Sequence, residues 1–271
     1  MMTTNIKFGP HETKLLFELE KENLRTFTFH QAKEILSIPD QSIANVLYRL
    51  KKKNRIMGIE KGKYLLIPAR SGIEGHWSED VFLVVDSLLG DYYIGFLSAM
   101  YYWNLTEQIP LQVLVATTKR KRPIKYNSQQ IRFITLNNKR FFGFTQIKSD
   151  DHSIKISSLE KTIVDGLLYP QHCGRMPEVA KAIWGARNDV NWSQVLKFLG
   201  KLKVSSVVRR LGYILDELDF QKEVKETLVR DFQGFRWLDP SSQKKVKGYS
   251  KEWGLILNLT SEELLSWRGF S

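Results

Sequence analysis

Apolar residues in the first part of the chain recur at helical spacing in three successive runs and then switch to strand spacing. Leu15, Leu16 and Leu19 share one side of a helix predicted from about Pro10 to Glu22. Phe29, Ala32, Ile35 and Leu36 line one face of a second helix, which Thr28 can cap and Ser37-Ile38-Pro39-Asp40 breaks. Pro39 suits the first turn of a third helix, whose Ile43, Val46, Leu47 and Leu50 point to a core. Its opposite face carries Gln41, Ser42, Asn45, Arg49 and Lys52. Arg55 to Ile59 and Lys63 to Ile67 then read as two strands around a Glu60-Lys61-Gly62 turn. Helix, tight turn, helix and basic hairpin, in that order, predict a winged helix-turn-helix over residues 1–68.

Beyond it, Pro68 to Gly75 collects small residues and two glycines, the composition of a short linker. Ser78 to Leu89 reads as helix. Tyr93 to Asn104 is apolar nearly all round, with Phe96, Leu97, Met100, Tyr101 and Trp103, as in a buried helix. Leu111–Ala116, Ile131–Leu136, Phe141–Ile147 and Ser153–Ile156 read as strands of a small antiparallel sheet. Helices are predicted at Ser158–Leu168, Met176–Ala186, Ser193–Leu199, Ser205–Leu218 and Gln221–Arg230. No fixed-period repeat occurs. The expected class is α+β, with a DNA-binding domain over 1–68 and a larger mixed domain, ending in a helical part, over 76–271.

Charge sharpens this picture. The net charge of +12 favours a polyanionic partner. Residues 1–70 hold 13 Lys and Arg against 7 Asp and Glu, residues 71–154 hold 9 against 8, and residues 155–271 hold 19 against 14, so the excess sits at both ends. On the third helix, forked amides and a guanidinium can read base edges while Lys52 suits a phosphate, with no carboxylate after Asp40 to repel DNA. Thr28, Tyr48 and the hairpin lysines Lys61 and Lys63 complete the expected contact set, although the Tyr48 ring can equally pack on the hairpin. Lys119-Arg120-Lys121-Arg122, between two strands, is a second basic surface that suits either a nucleic-acid contact or a solvated loop tip.

Candidate chemistry is sparse. Neither G-x-x-x-x-G-K-[ST] nor G-x-G-x-x-G occurs. His172-Cys173 is the one adjacent pair of soft ligands and has no second pair at metal-site spacing, so neither a metal nor a cofactor is expected. Asp86, Asp91, Asp150, Asp151 and Asp165 form no nuclease pattern, and Glu223-Val224-Lys225 reads as a solvated charge pair on a helix. Asp165, among Ile163, Val164, Leu167 and Leu168, needs a partner if buried, so a structural ion pair is expected there rather than catalysis. With Cys173 as its single cysteine, no export-type N-terminus and no apolar run of about 18 residues, the chain is expected to be soluble and cytoplasmic.

Three strings bring a family into view: the basic reader unit through residue 67, Tyr93-Ile-Gly-Phe-Leu-Ser-Ala-Met-Tyr-Tyr102 with Leu105-Thr106, and Ser158-Leu-Glu-Lys-Thr-Ile-Val-Asp165 with Tyr169-Pro170 and Gly174. In this order they resemble the AbiEi family of antitoxins and autorepressors from type IV, abortive-infection toxin–antitoxin systems, although Lys161 stands where Arg is commoner. The resemblance implies a non-enzymatic protein that represses its own promoter at inverted repeats of double-stranded DNA. It also implies that the C-terminal domain counters a nucleotidyltransferase-like toxin, without a stable toxin complex. Two alternatives remain open from the residues: a C-terminal domain that captures a protein partner directly, and a nucleic-acid-acting enzyme using Lys119 to Arg122 as a clamp.

Overall fold

A computed structural model describes residues 7–67, 81–126, 129–149 and 152–270. Helices and sheets are mixed, in agreement with the α+β expectation. The chain divides into two units, residues 1–90 with 124–128 and residues 91–123 with 129–271. The expected linker at 68–75 lies outside the described residues, as do the first residues of the helix expected from Ser78.

The first unit begins with α1 (Pro10–Lys21), where Gly9 is the cap and Glu12 accepts the Gly9 N–H at 2.8 Å. A short strand, β1 (Thr26–Thr28), leads into α2 (Phe29–Leu36). Thr28 caps α2 in a reciprocal box with Gln31: the Thr28 oxygen accepts the Gln31 N–H at 3.2 Å, and the Gln31 side chain accepts the Thr28 N–H at 2.8 Å. Ser37, at φ 52°, ends α2 in the left-handed conformation and lets α3 (Asp40–Lys52) start after Pro39. Pro39 therefore sits just outside the helix rather than in its first turn; its missing N–H costs nothing at either position.

β2 (Ile56–Glu60) and β3 (Lys63–Leu66) form the expected hairpin, and β1 adds a third antiparallel strand in the order β1-β3-β2. Leu15, Leu19, Phe27, Ala32, Ile43, Val46, Leu47 and Leu50 meet in one core. Burying each large apolar side chain contributes about 1.5–3 kcal/mol, so the polar face of α3 is set by what the opposite face must hide. α4 (Val81–Leu88) follows.

In the second unit the expected helix at 93–104 splits. Tyr92–Ile94 is a strand, β4, and only Phe96–Tyr102 is helical, α5. Aromatic and β-branched residues fit a buried strand as well as a helix, and Gly95 with Phe96 at φ 58° makes the break. β5 (Gln112–Thr117), β7 (Gln129–Thr135), β8 (Phe144–Ser149) and β9 (His152–Ser157) join β4 in a sheet of order 7-5-4-9-8, while β6 (Ile124–Tyr126) belongs to the first unit. This corrects the expected antiparallel sheet: β4 with β5 and β8 with β9 are antiparallel, but β5 with β7 and β4 with β9 run parallel. The strand from Phe141 is also shorter than expected, starting at Phe144.

α6 (Leu159–Leu168) is capped by Ser158, whose oxygen accepts the Lys161 N–H at 3.2 Å. A helical layer follows: α7 (Arg175–Gly185), α8 (Trp192–Leu202), α9 (Ser205–Leu218) and α10 (Lys222–Thr227). Ile163, Leu167, Val179, Ile183, Val195, Leu211 and Ile214 share its core. Three very short strands, β10 (Arg236–Trp237), β11 (Gly248–Ser250) and β12 (Leu255–Leu257), form a second sheet of order 10-12-11, and α11 (Ser261–Leu264) comes after it. Gly212 of α9 lies under the buried Trp253 ring, where any β-carbon would collide with the indole.

Candidate nucleic-acid interface

On α3, Gln41, Ser42, Asn45, Tyr48, Arg49 and Lys52 are all exposed, and Ile43, Val46, Leu47 and Leu50 are all buried. The spacing of i, i+1, i+4, i+7, i+8 and i+11 puts the exposed six along one ridge. Tyr48 is 58 % exposed, and the Lys52 ammonium lies 5.0 Å from its ring centre. Asp40, at the start of the ridge, is paired with Lys33 at 2.7 Å, which reduces its repulsion of an approaching phosphate.

Arg49 has a partner that periodicity could not supply. Its Nε forms an ion pair with Glu12 of α1 at 3.2 Å, and Lys53 Nζ meets the other Glu12 oxygen at 2.5 Å. Glu12 is only 2 % exposed, so this carboxylate is an internal post for two cations at the C-terminal half of α3. An ion pair at Nε uses neither terminal guanidinium nitrogen, and that pair is the fork that suits a guanine edge. The sequence signal for Glu12 is weak: an acid at the third position of α1 suits any helix start and says nothing of Arg49.

The other expected contact residues are placed less uniformly. Thr28 is exposed, but its hydroxyl is taken up in capping α2. Lys61 is exposed at the hairpin tip beside Gly62, whose φ of 73° the tight turn requires. Lys63 pairs with Thr28 across β1 and β3 and donates to the Leu88 carbonyl at 3.3 Å. Its ammonium is thus drawn to α4, not held out from the hairpin. Lys51, next to the ridge, lies 5.0 Å from the Tyr64 ring centre.

In the second unit Lys119, Arg120 and Arg122 are exposed and Lys121 is half-buried, on the connection between β5 and β6. The buried acid anticipated at Asp165 has its partner. Lys161 Nζ donates to Asp165 Oδ1 at 2.6 Å and the Tyr93 hydroxyl to Oδ2 at 3.0 Å, all three groups lying out of solvent. Burial raises the Asp165 carboxyl above its ordinary value, opposed by Lys161 and then by Tyr93. Burial and the adjacent carboxylate push the Tyr93 phenol up. Lys161 also lies 4.6 Å from the Phe142 ring centre. Such a closed cluster has no access for a substrate. Among the described residues no group of three or more His, Cys, Asp or Glu could hold a metal, and no helix is long and apolar enough to cross a membrane.

Comparison with known proteins adds a fold likeness to this geometry. No family model and no curated protein matches the chain. Among solved structures, a mixed α/β fold of the same extent appears in the RV2827C protein from Mycobacterium tuberculosis. The TM-score is 0.69 at 13 % identity, over 97 % of this chain and 96 % of that one.

Proposed function

We propose that the first unit is a winged helix-turn-helix that reads double-stranded DNA, with α3 in the major groove and the β2–β3 hairpin over the neighbouring phosphates. The observation that carries this is the exposed α3 ridge: amides, a hydroxyl, a buttressed guanidinium and a lysine, with the sole acid, Asp40, already paired. The element order α1-β1-α2-α3-β2-β3 and the strand order β1-β3-β2 are those such a reader requires. We further propose that the chain is an autorepressor and antitoxin of a type IV toxin–antitoxin system. The resemblance to the AbiEi family motivates this second step. Its support lies in the second unit, where Tyr93 of one family-like string meets Lys161 and Asp165 of the other in a single buried cluster.

The test is a gel-shift series with the promoter upstream of the gene, at fixed salt. Arg49→Ala should cost about 1–3 kcal/mol on the preferred site and relax its sequence preference, whereas Lys61→Ala should weaken all duplexes alike and reduce the salt slope by about one. Unchanged binding by both variants would remove the reader from this surface. The antitoxin step is tested separately, by co-expression with a neighbouring nucleotidyltransferase-like gene: growth arrest that this chain fails to relieve would refute it.

A further inference from the structure

The small C-terminal sheet carries a surface of different character. Trp237 on β10 and Tyr249 on β11 both stand opposite Ile256 of the central β12, so the three share one face. Leu255, the next position on β12, points the other way and belongs to the core. Phe235 lies two residues before Trp237 and meets the Tyr249 ring edge-to-face, with ring centres 5.6 Å apart. Tyr249 is 59 % exposed and Phe235 43 %, while Trp237 is half-buried. Two exposed rings in contact, beside a half-buried third on one face of a sheet, form a contiguous apolar patch of the kind that marks an interaction site.

The charge around them indicates what does. Residues 229–251 hold six cations, Arg230, Arg236, Lys244, Lys245, Lys247 and Lys251, against Asp231 and Asp239. Asp239 is turned inward, accepting the Met176 N–H at 3.1 Å and the Ser241 N–H at 2.8 Å, so it does not offset the surface charge. Arg230 and Lys247 pair with Glu252 and Glu263. Arg236, Lys244, Lys245 and Lys251 are exposed, beside the rings in sequence and on the connection entering β11. Rings alone would suit an apolar partner, and cations alone any anion. Their interleaving suits a polyanion whose own flat faces are unstacked.

We propose that this face binds single-stranded nucleic acid, with bases stacking on Phe235 and Tyr249 and the backbone tracked by Arg236, Lys244, Lys245 and Lys251. Duplex DNA does not satisfy it, because bases stacked on one another offer no face to a ring. The site is independent of the α3 ridge and holds whether or not that ridge reads an operator.

The full-length protein is titrated into labelled single-stranded DNA and RNA of mixed sequence, of about 20 nucleotides, and into the matching duplex. Phe235→Ala with Tyr249→Ala should weaken single-strand binding about tenfold or more and leave duplex binding unchanged. Lys244→Ala with Lys245→Ala should lower single-strand affinity and flatten its salt dependence. Arg49→Ala with Lys52→Ala should leave the single-strand arm intact. Both ring residues are exposed, and matching thermal melts confirm that the variants are folded. Wild-type single-strand affinity in the ring variant overturns the proposal, as does an equal loss on duplex. So does loss of the single-strand arm in the ridge variant. Phosphatidylserine vesicles and polyglutamate serve as competing anions; binding of either that needs the same rings, with no single-strand binding, also overturns it.

Discussion

Replacing Glu12 by Gln isolates the buttress behind Arg49. The substitution keeps the size of the side chain, and the Gln oxygen can still accept the Gly9 N–H now bonded at 2.8 Å. What it removes is the negative charge that holds Lys53 at 2.5 Å and Arg49 at 3.2 Å. A charge-assisted bond of this kind contributes about 1.5–3 kcal/mol when its partners cannot reach water. Here Lys53 is about a quarter exposed and Arg49 more than half, so both cations recover hydration on release. That leaves about 1–2 kcal/mol for Lys53 and a few tenths for Arg49, roughly 2 kcal/mol in all. Amide hydrogen exchange of α1 and α3 should therefore quicken by about thirtyfold, while Gln41→Ala on the free ridge should leave it unchanged. A change below about threefold would mean that Glu12 is not a post, and the account of a pre-positioned guanidinium would fail with it. The same variant should lose site preference on DNA yet bind unrelated duplexes slightly better, because a buried negative charge behind the ridge has gone.

Two further outcomes bear on the second unit. Lys161→Met or Asp165→Leu alone should cost about 3–5 kcal/mol in denaturant unfolding, each leaving an uncompensated buried charge, while the double variant should cost much less than their sum; strict additivity would show that the pair is not coupled. Asp239 is held below the ordinary carboxylate range: burial raises it, but bonds from the Ser241 side chain, the Met176 and Ser241 backbones and the Ser242 side chain outweigh burial. With the folded value depressed, its stabilisation is present at neutral pH and is lost as pH falls through the folded value, so Asp239→Asn should destabilise at pH 7 and converge with wild type in acid. A stability gap that is constant from neutral to acid pH would contradict this.

The parts of the fold legible in the sequence were those where one element decides its own pattern. α9 was read to the residue, Ser205 to Leu218, because its buried positions recur through four turns. Thr28 was read as a cap because a cap is a local bond within three residues. The polar face of α3 followed from its apolar one. What could not be read depends on partners distant in sequence. β5 and β7 look alike whether they pair parallel or antiparallel, and the two- and three-residue strands β10 to β12 are too short for any period. Glu12 lies 37 residues before Arg49, and Asp239 reaches back to Met176; neither spacing has a rule. The ring face of the C-terminal sheet was missed for the same reason, since Trp237 and Tyr249 become neighbours only across β12.

That distinction also separates the two proposed polyanion surfaces by what salt can do to them. Contacts of Lys52 and Lys61 with a duplex release condensed counterions, so affinity there should fall with salt at about 0.9 per phosphate neutralised, leaving only the edge readout of Gln41, Asn45 and Arg49 to resist. A single strand has a thinner counterion atmosphere, with a slope of about 0.7 per phosphate, and stacking on Phe235 and Tyr249 is not ionic at all. With two such cations on the duplex and four, Arg236, Lys244, Lys245 and Lys251, on the single strand, the slopes come to about 1.8 and about 2.8, so raising salt should erode single-strand binding faster than duplex binding in the same protein. Removing the rings of 235 and 249 should lower single-strand affinity at every salt concentration and leave its slope unchanged, because stacking releases no counterions; a changed slope in the ring variant would refute the stacking account.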